Sequence, residues 1–175
     1  MKTKLIAEGY MPNKLAIKGW SAGGHLALLY GYSRYQQSSI PIEFLVADVA
    51  PTDFLDTECF RLHGKHADGL LSALSGQKIR FQDVLNQSSV LRDMSPLYSV
   101  VSGVPPTLMR YGAQDKIIPV SQGTNLKAAL DLAGVRNDLF IYPNSDHDLY
   151  NSSDADISNS YKAVLQEYLN TYFHN

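Results

Sequence analysis

The feature that most restricts the fold is a junction at residues 15–26, where one periodicity gives way to another with almost no linker. Residues 15–20, Leu-Ala-Ile-Lys-Gly-Trp, are a short apolar run that stops at a glycine, the pattern of a buried strand. From Ala22 the spacing turns helical, and Ala22, Leu26, Leu29 and Tyr30 fall on one face. The same unit then recurs. Phe44 to Val49 is strand-like and is closed by Pro51; Thr107 to Tyr111 repeats the design and leads through a polar loop to a helix near 120–133. Gly134 ends that helix as a left-handed C-cap, and Leu139 to Tyr142 forms a fourth strand ended by Pro143. Ile157, Tyr161, Val164, Leu165, Tyr168, Leu169 and Tyr172 make a helical stripe, which Ser153 and Asp156 precede at capping-box spacing. Such alternation, with continuous apolar strands, predicts a mostly parallel sheet covered by helices on both faces, a three-layer α/β sandwich. Residues 52–104 break the rhythm and read as a cap-like excursion above the carboxyl edge of the sheet, where folds of this class put their ligands.

Composition narrows the class further. The 175 residues suit one domain, and 45% apolar with 18% charged residues lies far from disordered sequence. A net charge of −2 gives no electrostatic footprint for nucleic acid. No apolar run approaches the roughly 20 residues of a membrane span, and the basic start has no apolar core of a secretory signal. Cys59 is the sole cysteine, which excludes an internal disulfide and fits a reducing, cytoplasmic setting. The spacing of Cys59, His63, His66 and Asp68 matches no common zinc framework, so no metal is expected and these residues are assigned to the pocket mouth. Gly19, Gly23 and Gly24 form neither G-x-G-x-x-G nor a phosphate loop, so no nucleotide or other cofactor is expected either.

Chemistry concentrates in Gly19-Trp20-Ser21-Ala22-Gly23-Gly24, which matches G-x-S-x-G in the strand–turn–helix setting that motif requires. A serine at the apex of so sharp a turn is held in a strained backbone conformation. Glycine at 19 and 23 is expected to remove side chains that would clash across the turn. The helix beginning at Ala22 aims its free N–H groups and positive dipole end at Ser21, and the Ala22 N–H is the candidate oxyanion donor. A glycine-rich turn with an incidental serine is the plain alternative, and the setting disfavours it.

The run Gly19-Trp20-Ser21-Ala22-Gly23-Gly24-His25-Leu26-Ala27 resembles the nucleophile elbow of the α/β-hydrolase superfamily. It is most similar to carboxylesterases and lipases of the hormone-sensitive-lipase and feruloyl/acetyl-esterase-like groups. The likeness continues through Pro51-Thr52-Asp53, Ser95-Pro96-Leu97, Pro105-Pro106-Thr107-Leu108, Gly112-Ala113-Gln114-Asp115 with Ile118-Pro119, and Tyr142-Pro143 before His147. It implies a serine nucleophile followed in chain order by an acid and then a histidine. On that order His147, in a polar loop after the last strand, is the base, and His25, His63, His66 and His174 are set aside. Asp115, directly after a strand, is the acid that orients the imidazole. Its plain alternative is a helix cap. A placement one strand earlier would nominate Asp48 or Asp53, while Asp146 and Asp148 flank the histidine with diverging side chains.

The resemblance therefore implies hydrolysis of a small-molecule carboxylic ester through an acyl-enzyme, with Ser21, Asp115 and His147 as triad. Three other readings stand beside it: a prolyl-oligopeptidase-type serine peptidase, an acyltransferase, and a truncated, non-catalytic remnant or interaction module. Peptidases of that type usually carry tyrosine where Ala22 stands. Departures matter too. Ser21 follows Met1 by only twenty residues, residues 3–9 read as the end of a helix, and no His-Gly-Gly run that would add oxyanion donors exists. Residues 1–175 thus read as a single, partial domain with an N-terminally truncated sheet. Its first strand is then an open apolar edge, which predicts self-association.

Overall fold

Four strands, β1 (Leu15–Trp20), β2 (Ile42–Asp48), β3 (Thr107–Gly112) and β4 (Asn137–Tyr142), lie parallel in one sheet in the order β1-β2-β3-β4. The computed structural model describes residues 2–9, 12–57, 67–80 and 88–174. Cys59, His63 and His66 lie outside the described residues. Helices α1 (Lys2–Ala7) and α2 (Ala22–Arg34) flank β1 in the chain, α3 (Ala67–Ser75) and α4 (Ser88–Met94) belong to the excursion, α5 (Val120–Leu132) joins β3 to β4, and α6 (Ala155–Phe173) follows β4.

Alternation along the strands builds two cores. On one face Leu45, Ala47, Met109 and Tyr111 meet Leu28 and Tyr32 of α2 and Leu126 and Leu130 of α5. On the other, Phe44, Val46 and Leu108 meet Tyr161 and Tyr168 of α6. Each fully buried Leu or Phe contributes about 1.5–3 kcal/mol, so the two layers dominate the stability of the sheet. The excursion has a small core of its own in Phe54, Leu71, Ile79 and Leu91, and among its described residues it forms no strand. Gly134 adopts φ 68° just past α5, the left-handed cap expected of it.

Two local expectations are corrected. Helix α2 buries Gly24, His25, Ala27, Leu28, Gly31 and Tyr32, whereas Ala22, Leu26 and Tyr30 of the anticipated face are exposed. The reason is proximity: a Cβ on Gly31 would stand 2.5 Å from Leu45 Cδ1, and one on Gly24 would stand 2.8 Å from Ala50 Cβ. The helix lies on the sheet through its smallest residues, which a count of large apolar side chains overlooks. The capping box before α6 is also absent. Asp154 is the N-cap, its side chain makes no capping bond, and Ser153 sits in a 3-10 turn at Ser152–Asp154. The Asp154 carboxylate is used elsewhere, as described below.

Candidate active site

Ser21 stands where β1 passes into α2, with φ 51° and ψ −120°. A non-glycine residue in such a conformation costs on the order of 1–3 kcal/mol, sustained only by its surroundings. Those surroundings are specific. The Ser21 N–H donates to Asp48 O at 2.8 Å, and Ser21 O accepts from the His25 N–H at 3.0 Å. A Cβ on Gly19 would fall 2.1 Å from Gly23 O, so glycine there is obligatory. At Gly23 a Cβ would meet nothing within 4 Å, so the clash expected at that position is absent and Gly24 fills the role instead. The Ser21 hydroxyl makes no capping bond to α2.

At the far end of the sheet Asp115 and His147 are brought together. Asp115 Oδ1 accepts from the N–H groups of Ile117 at 2.7 Å and Ile118 at 2.9 Å, which leaves Oδ2 for His147 Nδ1 at 2.7 Å. The carboxylate is fully buried and the imidazole partly exposed. A donor is required at Nδ1 to satisfy that oxygen, so the Nε2 lone pair is the free one. The two loops are sewn together: the Ala113 N–H donates to Tyr142 O, the Gln114 N–H to Ser145 O, and Gln114 Nε2 to Pro143 O. A Cβ on Gly112 would lie 2.3 Å from Asp146 O, so only glycine lets the histidine loop approach this closely.

Trp20, which precedes Ser21 in the chain, stands edge-on to His147 with ring centroids 6.4 Å apart. No hydrogen bond joins Ser21 Oγ to the imidazole among the described residues; such bonds often tighten only with substrate bound. Beside His147 a cavity of about 510 Å³ is lined by Gln114, Lys116, Ile117, Asp146 and Asp148.

The competing acids are engaged elsewhere. Asp48 is fully buried against Arg110 and Lys18. Asp53 accepts from the Leu55 N–H and the Tyr98 hydroxyl, and burial pushes its carboxyl above the usual range against those bonds. Asp146 receives the Asp148 N–H. His25 packs edge-on against Phe54 and donates to Pro51 O, and burial lowers its pKa despite that bond. Asp68 lies in α3, and among the described residues no three metal-binding side chains converge.

Three residues that bond the surrounding loops escaped the sequence reading. Gln122, at the start of α5, accepts from the N–H groups of Thr52 and Asp53 and donates to Asp56, tying the excursion to α5. Asp154 receives Asn144 N–H and Nδ2 and the Ser145 hydroxyl, anchoring the loop that carries His147. Burial raises the Asp154 carboxyl, but these bonds outweigh it and hold its pKa below the usual range. Arg110, which bridges both carboxylate oxygens of Asp48, is the third. Nothing in their spacing separates them from surface residues, because each acts across a gap of tens of residues or through a loop.

A parallel sheet that ends in a strained serine turn at one strand and a bonded aspartate–histidine pair at two others has the architecture of an α/β-hydrolase. Residues 7–130 match the BD-FAE family, and the chain belongs to it. It is 31% identical over 128 residues to an esterase of Acinetobacter venetianus, covering 71% of this chain and 41% of that protein. The chain therefore spans about two fifths of that relative's length. The fold is also similar to an acetyl ester-xyloside bifunctional hydrolase of Caldicellulosiruptor lactoaceticus, at 22% identity and TM-score 0.70, over 97% of this chain and 61% of that one. A Pyrococcus horikoshii acylaminoacyl peptidase superposes with TM-score 0.71 at 17% identity, over 98% of this chain and 26% of that one.

Proposed function

We propose that the chain carries the triad of a serine hydrolase that cleaves small carboxylic esters through an acyl-enzyme. The observation that carries this reading is the buried Asp115–His147 pair, whose second carboxylate oxygen is already taken by two backbone N–H groups. That arrangement orients the imidazole with Nε2 free to accept the Ser21 proton. Ser21 Oγ then attacks the ester carbonyl, and the developing oxyanion is met by the Ala22 N–H at the start of α2. His147 returns the proton to the leaving alcohol, and Asp115 steadies the imidazolium throughout. Water repeats the sequence on the acyl-enzyme and releases the acid. No step calls on a metal or organic cofactor.

The test is covalent labelling with a fluorophosphonate. Ser21 is expected to carry the adduct and Ser21→Ala to abolish it. An adduct mapped to another serine would overturn the assignment. The sole cysteine supports a reducing, cytoplasmic setting, and no helix among the described residues is long and apolar enough to cross a membrane. The open edge of β1 supports self-association of the chain in isolation.

A further inference from the structure

We infer that Arg110 is a positioning residue for Ser21, acting through Asp48. The inference rests on the reading of Ser21 as nucleophile. Strand register sets the three in one row: Trp20 pairs with Asp48 and Asp48 with Arg110, and the chain turns into Ser21 immediately beyond. Arg110 holds residues 48 and 49 twice. Its guanidinium bridges both oxygens of the fully buried Asp48 carboxylate, with Nε 2.7 Å from Oδ1. Its backbone O accepts the Val49 N–H at 2.8 Å, and Val49 is itself at φ 46°. The peptide between Asp48 and Val49 is thus fixed from both ends, and its carbonyl is the one that receives the Ser21 N–H.

The guanidinium is braced in turn, 4.2 Å above the Tyr161 ring of α6 and 5.9 Å from the ring of Trp20. A chain of contacts therefore runs from α6 through Arg110 and Asp48 to the strained turn. Stability alone is a poor reason for the pair, because an apolar pair of similar volume commonly serves a buried site as well or better. What an apolar pair cannot do is fix the direction of one carbonyl by gripping the side chain of its own residue at two points.

The double variant Asp48→Leu/Arg110→Met removes the grip while keeping the site filled, and Arg110→Lys keeps the charge but cannot bridge both oxygens. Two readouts are taken: backbone amide exchange at Ser21 relative to Leu108 and Leu139, and the rate of fluorophosphonate labelling. The double variant is expected to speed Ser21 exchange by about 10-fold relative to the strand amides and to slow labelling by about 10-fold, with Arg110→Lys between it and the wild type. Ser21 exchange that keeps its wild-type ratio to Leu108 and Leu139 would overturn the inference. If the double variant does not fold, Arg110→Lys decides by the same ratio. A wild-type chain that does not label would overturn the proposed function, while Ser21 exchange would still decide the role of Arg110.

Discussion

Ser21 occupies a backbone conformation that glycine adopts freely and serine does not. Ser21→Gly is accordingly expected to end labelling and to raise stability by about 1 kcal/mol, seen as a higher urea midpoint. An unchanged or lower midpoint would mean that the turn stores no strain. His25 gives a second reading at this scale. Its folded pKa lies below the ordinary value of about 6.5, so the unfolded chain takes up the proton first. The group adds nothing above pH 6.5, and stability drains away as pH falls from there through the lowered folded value. The loss of urea midpoint between pH 7 and pH 5 should be smaller in His25→Asn than in the wild type, and an equal loss would remove His25 as its source.

The elements explain what the sequence disclosed and what it withheld. Strands were legible at 15–20, 44–49, 107–111 and 139–142 because apolar runs end at or near Gly or Pro, although β2 starts at Ile42 and β4 at Asn137, ahead of the apolar run. Asp115 and His147 were singled out by their place after strands in the chain order the resemblance implies. The contact face of α2 was not legible, since Gly24 and Gly31 matter for what they lack and periodicity weighs only what is present. Ser153 and Asp156 were misread as a capping box and Asp154 between them was passed over, because a carboxylate near a helix start looks alike whether it bonds its own helix or a distant loop. The role of Gly112 follows from the same close approach. Gly112→Ala would push the Ser145–Asp146 carbonyls away and carry His147 with them. Labelling is expected to fall by about 10²-fold, the usual cost of a misplacement near 1 Å. A rate within a factor of two of wild type would show that the loop yields without moving the imidazole.

At the scale of the molecule, β1 is an edge strand with Ala16 exposed, and Leu26 and Tyr30 of α2 lie open beside it. A cavity of about 550 Å³ borders that edge between Leu15–Lys18, Tyr30 and Ser38–Ile40. This chain, with β1 at the sheet edge, is expected to sediment as more than a monomer. A stable monomer in sedimentation would contradict that expectation. The ladders themselves are unequal. β1–β2 and β3–β4 each register over six residue pairs, β2–β3 over only four, Leu45 with Thr107 to Asp48 with Arg110. The proposed nucleophile hangs on the first ladder and the proposed acid–base pair on the last, so the short middle ladder is a seam across which the proposed site is assembled. Local opening there would part the serine from its relay while both outer pairs stayed zipped. Loss of reactivity would then run ahead of loss of secondary structure, and labelling would act as a gauge of that one seam.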